Sequence, residues 1–252
     1  MKQRVSLITH GFSVIFSGLR AYSRSAAAAL PLLVGSAAHA ATLYWDGTGT
    51  SWFLPENWST VETADEPNPA AAPGAADVAT FNVDGVSGAQ TIALGANQAA
   101  SRLSIRGSAS GGVTLTGGGA DRTLSLGTGG IEILDGAGPL VVGATVADQR
   151  VAVSLTGSQT WTNGSANAAV IQNGIGATGA HTLTLRGAGG FRLNGTGTFS
   201  GGTTLATSTV GIGDDAALGT GTFTLNTGTI LIEDFPRTLA NKVKINGGTT
   251  RW

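Results

Sequence analysis

The 252-residue sequence has no cysteine, which removes disulfides, thiolate metal sites and a cysteine nucleophile together. Charge is scarce as well, since Asp, Glu, Lys and Arg make up only 12% of the chain. No Lys or Arg run follows residue 40, so the clustered positive charge that grips nucleic-acid phosphates is missing and no nucleic-acid partner is expected. Apolar stretches are short, and none approaches the ~20 residues of a membrane-spanning helix. Beyond residue 40 the only histidine is His181, and no Gly-x-Ser-x-Gly elbow occurs, which leaves a hydrolytic triad without its nucleophile turn or a choice of base.

What the chain does have is glycine, 40 residues of it, together with an ordinary hydrophobic share of 41%. The apolar residues alternate with Thr, Ser and Arg, which is strand periodicity. Short elements of the form apolar-x-apolar start at Leu103 (LSIRG), Leu124 (LSLG), Leu183 (LTLRG), Phe223 (FTLN) and Val243 (VKING). Their separations lie near multiples of about twenty residues, and self-similarity of that length marks a stacked fold in which each unit needs a neighbour to bury its apolar face. The spacing predicts an all-β parallel solenoid, with glycine at the corners because it reaches positive φ freely. At about twenty residues per rung, the segment after Ala40 provides roughly ten rungs.

Residues 1–40 have a different texture. Lys2, Arg4, Arg20 and Arg24 precede an apolar run from Ala26 to Val34, and small residues ending Ala38-His39-Ala40 follow. That order is a secretory signal peptide with cleavage expected after Ala40. Without it ten basic residues face fifteen acids, a net charge of about −5. The mature segment is therefore expected outside the cytoplasm, at the cell surface or extracellular, and not spanning the membrane.

Residues 41–100 form a second region, read as an N-terminal cap with the first strands. It opens with YWDGTGTSWFLPENW, which carries Tyr44, Trp45, Trp52 and Trp58, and continues into a Pro- and acid-rich stretch ending at Pro73. Aromatic packing over the open end of a stack explains these residues. The alternative is a carbohydrate platform, with Trp45, Trp52 and Trp58 as candidate glycan contacts through their ring faces. Residues 101–252 hold the repeats.

The run GGFRLNGTGTFSGGTTL from Gly189 to Leu205, continuing through GDDAALGTGTFTLN from Gly213 to Asn226, is similar to the autotransporter-associated β-strand repeat of passenger regions in Gram-negative exported surface proteins. FSGGTT and DDAALGTGT are the most specific blocks. The opening WDGTGTSW with Asn57-Trp58, and PGAADVATF from Pro73, resemble the start of mature chains carrying such repeats. The resemblance implies a right-handed parallel β-helix displayed outside the cell, and it brings no catalytic residues or cofactor. Proteins of that kind usually continue into a translocating barrel or a sorting tail. The sequence stops at Trp252 just after the Val243 unit begins, so the repeats read as truncated and attachment to the outer membrane is assigned to a missing C-terminal region.

Other constellations carry little chemistry. His181 precedes TLTL as Arg122 precedes TLSL, which reads as a variable turn position. Gly174-Ile-Gly-Ala-Thr-Gly179 matches the dinucleotide pattern but leads into a strand where that motif needs a helix. Asp214-Asp215 reads as a turn, Asp121, Glu132 and Asp135 lie on consecutive segments with no side of the coil fixed, and Asn57, Asn194, Asn226 and Asn246 are assigned to turns or stacked ladders. The sequence therefore points to a non-catalytic exported scaffold or adhesin-like passenger segment, with host or environmental surfaces or glycans as partners. A tryptophan-based glycan-binding module and a polysaccharide-active β-helix enzyme are the alternatives.

Overall fold

The computed structural model describes residues 40–63, 66–86, 88–107, 111–232 and 236–247. The leader read over residues 1–40 lies outside them except for Ala40, as does Trp252. The described residues belong to one compact unit. It is a parallel β-solenoid, as the alternation predicts.

Nineteen strands appear among the described residues. In chain order they are β1 (Thr42–Trp45), β2 (Trp58–Ser59), β3 (Val78–Phe81), β4 (Gln90–Ala93), β5 (Gln98–Ile105), β6 (Val113–Thr116), β7 (Arg122–Ile133), β8 (Leu140–Val142), β9 (Val151–Leu155) and β10 (Gln159–Asn163). There follow β11 (Ala169–Ile171), β12 (Ile175–Ala177), β13 (Leu183–Arg186), β14 (Gly190–Leu193), β15 (Thr203–Leu205), β16 (Ser208–Ile212), β17 (Phe223–Leu225), β18 (Gly228–Ile232) and β19 (Val243–Ile245). One face stacks β1, β3, β5, β7, β10, β13, β15, β17 and β19, and a second, seven-stranded face stacks β4, β6, β8, β11, β14, β16 and β18. Seven turns thus give a strand to both faces. Only β2, which pairs with β1, runs antiparallel.

Register explains the single core. Parallel partners keep the same inward or outward parity, so one column on the first face runs Leu43, Ala79, Leu103, Ile131, Trp161, Leu185, Leu205, Leu225. The second face supplies Ile92, Leu115, Val142, Ile171, Leu193 and Ile212 in the same way. All of these belong to one contiguous buried cluster. Leu103, Leu124 and Leu183 share it.

The rung length differs from the expected twenty residues. In-register partners on the first face are 24 residues apart between Ala79 and Leu103, 28 between Leu103 and Ile131, 30 between Glu132 and Thr162 and 24 between Thr162 and Arg186. Only from Leu185 through Leu205, Leu225 and Ile245 does the step settle at 20. The extra residues of the longer rungs build a third side, where residues 98–100 of β5 pair with the first half of β7, which pairs with β9, which pairs with β12. Leu124 sits on that third side, and the residue equivalent to Leu103 is Ile131. The likeness of LSIRG to LTLRG is also out of phase by two, because Leu103 stacks over Leu185 and not Leu183. An even shift leaves parity intact, which is why the fold class survives the wrong phase. Longer rungs also reduce the expected ten turns to seven.

Corners demand glycine where rungs touch closely. Gly174 has φ +92°, and a Cβ placed on it would lie 2.2 Å from the Thr196 carbonyl oxygen; both the backbone conformation and the contact exclude a side chain.

Two substitutions separate core from surface. Leu193→Ala removes a fully buried side chain and should cost about 2–5 kcal/mol. Thr184→Ala, on the outward side of β13, should stay within about 0.5 kcal/mol. Hydrogen exchange should show the first change as lost protection in its own rung and the adjacent ones, since stability along a solenoid is nearest-neighbour in character. Equal effects from the two variants would contradict the assigned register.

Candidate functional site

Trp45, Trp52 and Trp58, the candidate glycan contacts, are all fully buried. Trp45 lies two residues after inward Leu43 on β1 and therefore also points inward. Trp58 contacts both other indoles edge-on, with ring centroids 5.3 Å from Trp45 and 5.1 Å from Trp52, and all three pack on Phe81 of β3. The Trp58 Nε1–H donates to the Trp52 carbonyl at 2.8 Å. Asn57 holds the same turn by donating from Nδ2 to the Ser51 carbonyl. With no ring face reaching solvent, these tryptophans offer a sugar nothing to stack on; the alternative of a carbohydrate platform fails because Trp45 and its strand partner Trp58 point inward and Trp52, in the turn between them, packs on Trp58.

The carboxylates stay apart, each with its own partner. Asp121 accepts from the Arg150 backbone N–H and lies 3.6 Å from its guanidinium, Asp135 accepts from the Gly136 N–H, and Glu132 pairs with Arg102 at 2.9 Å. Asp214 accepts from the Ala216 N–H at 2.9 Å, the turn expected for DDAALG. No group of three or more His, Cys, Asp or Glu able to hold a metal occurs among the described residues. His181 is not equivalent to Arg122, because Arg122 begins the third-side half of β7 whereas TLTL lies on the first face.

Asparagines at the corners do stack. Asn246 donates to Asn226 Oδ1 at 2.7 Å, and Asn194 donates to Gln172 Oε1 at 2.9 Å. A stronger network surrounds Asn163, a position with no local motif to mark it. Asn163 occupies the inward position that Phe81, Ile105 and Ile133 hold on earlier rungs. Its Nδ2 donates to the carbonyls of Asn167 and Gly190, both at 2.8 Å, while its Oδ1 accepts from the Ser165 N–H at 3.0 Å. A buried amide so completely satisfied ties three segments of one corner together.

The outward side of the first face carries a polar depression. One column reads Arg102, Gly130, Thr160, Thr184, Thr204, Thr224, Lys244, and beside it runs Ser104, Glu132, Thr162, Arg186. Gly130 supplies no side chain to the first column. Gly129 next to it is needed, because a Cβ there would lie 2.8 Å from the Arg102 Cβ and 2.6 Å from the Ser101 carbonyl oxygen. The result is a shallow groove of about 200 Å³ lined by Arg102, Glu132, Thr160, Thr162 and Arg186 over a floor that includes Gly129. Arg186 Nε donates to Thr162 Oγ1 at 2.9 Å. No local sequence pattern unites these residues, because they come from four successive rungs.

Trp52→Ala should destabilise the chain by about 3–5 kcal/mol through loss of a fully buried ring, measurable by urea denaturation followed by tryptophan fluorescence. An unchanged midpoint would show that the indole is not part of the core. Comparison of the chain with protein families, curated proteins and solved structures returns no match.

Proposed function

We propose that the chain is an exported, non-catalytic surface scaffold, an adhesin-like segment of the passenger type, whose role is to present long regular faces to host or environmental surfaces. The observation that carries this reading is the solenoid itself, with one core running through successive turns and parallel columns of outward side chains repeated from rung to rung. Such a rod offers many weak, similar contacts along its length, which suits adhesion by multivalency. Positive charge, an apolar run and an Ala-x-Ala site in residues 1–40 support export. Of the blocks whose similarity motivates the passenger assignment, FSGGTT runs from the corner before β15 into that strand, and DDAALGTGT forms the corner between β16 and β17. In the same reading the aromatic segment acts as a cap, since β2 ends the first-face order with an antiparallel partner and so interrupts the parallel edge. No helix among the described residues is long and apolar enough to cross a membrane.

Expression in a Gram-negative host followed by cell fractionation and N-terminal sequencing tests export. The expected product leaves the cytoplasm and begins at Ala41. Cytoplasmic protein that retains Lys2 and Arg4 would overturn the proposal. Incubation with pectin-like and alginate-like polymers should release no new reducing ends, and clear turnover would replace the scaffold reading with an enzymatic one.

A further inference from the structure

We propose that the groove between Arg102 and Arg186 binds an extended acidic oligosaccharide, a polyuronate, lying along the solenoid axis. This does not depend on export. Four successive rungs contribute, from β5 through β7 and β10 to β13, so the polar row covers roughly 14 Å at the ordinary inter-strand spacing. Its chemistry suits a sugar acid in three respects.

The first is charge. Arg102 is engaged with Glu132, and both side chains remain about 40% exposed. Arg186 has no ion pair among the described residues, and its Nε is held by Thr162. The groove therefore has one guanidinium in excess, and its planar fork matches a carboxylate in bidentate fashion. The second is the hydroxyl complement. Glu132 accepts and the Thr160 and Thr162 hydroxyls donate or accept, which is the mixed set that reads vicinal sugar hydroxyls. The third is shape. Missing side chains at Gly129 and Gly130 leave a depression instead of a flat sheet, and a concave polar site holds a ligand where a flat face does not.

The neutral-sugar alternative leaves the Arg186 charge without a counterpart. A polynucleotide is disfavoured because the groove lining holds no aromatic side chain on which a base could stack. The orientation follows from the row itself, which runs from rung to rung and not along any one strand.

Isothermal titration calorimetry of the whole chain with oligogalacturonate, and with the same oligomer fully methyl-esterified, tests the proposal. Saturable binding at millimolar concentration is expected for the acid, at least about tenfold weaker binding for the ester, and a loss of about tenfold for Arg186→Gln. Arg192→Gln, on the second face, should leave affinity unchanged. Arg186 is exposed, so its circular dichroism spectrum should match the parent's, and Arg102→Gln carries the same expected loss if the first variant fails to fold. Absence of saturable binding, equal binding of the ester, or parental affinity in a folded Arg186→Gln or Arg102→Gln variant would each overturn it.

Discussion

Every turn of this molecule depends on its neighbours for backbone hydrogen bonding. Apart from the β1–β2 pair of the first turn, no rung among the described residues contains an internal ladder; the N–H and C=O groups of β13 are met by β10 on one side and β15 on the other, and corner residues follow suit, as when the Ala206 N–H donates to the Leu185 carbonyl and the Asn226 N–H to the Leu205 carbonyl. Buried peptide groups need partners, so the rungs must stay in register. Fixed register in turn stacks inward residue on inward residue and produces one core instead of many small ones. The apolar columns are a consequence of that ladder as much as a cause of it.

Polar residues inside the columns sharpen the arrangement. Gln159 stands at the inward position that Leu183 holds one rung later; it donates to the Leu126 carbonyl and accepts from the Trp161 indole N–H. Thr203 takes the next position in the same column, where its hydroxyl donates to the Leu218 carbonyl. Each bond is satisfied only in the observed register, since a slip would bury a polar group without a partner. Asn163 does the same at a corner. These residues add little hydrophobic driving force, but they penalise alternative stackings of strands that otherwise look much alike.

How far the sequence is legible follows from these two constraints. Alternation in LSIR, LTLR and FTLN identifies inward residues correctly wherever it occurs, because parity is a local property. Phase between rungs is not local: it depends on how many residues each corner and the third side consume, and Leu124, read as the successor of Leu103, lies instead on another side of the coil. The twenty-residue step holds from Leu185 onward, where the third side has shed its regular strand. For Trp45 parity is legible, two residues from Leu43, and it favours the packing reading over the alternative of a sugar platform. The Arg102, Glu132, Thr162 and Arg186 row was illegible because its members are 24 to 30 residues apart, at intervals that only the register defines.

The variable rung length also bears on how such a chain can change over generations. Between Gly130 and Thr160 the coil takes thirty residues, yet both positions fall on the same outward column as Thr184, Thr204 and Thr224, the last three separated by rungs a third shorter. Insertions and deletions at the corners therefore leave the alignment of the faces untouched, provided the strands re-enter with the same parity. Loop length and face chemistry become separately heritable traits, and lineages could diversify the rim of this coil while keeping its decorated faces constant.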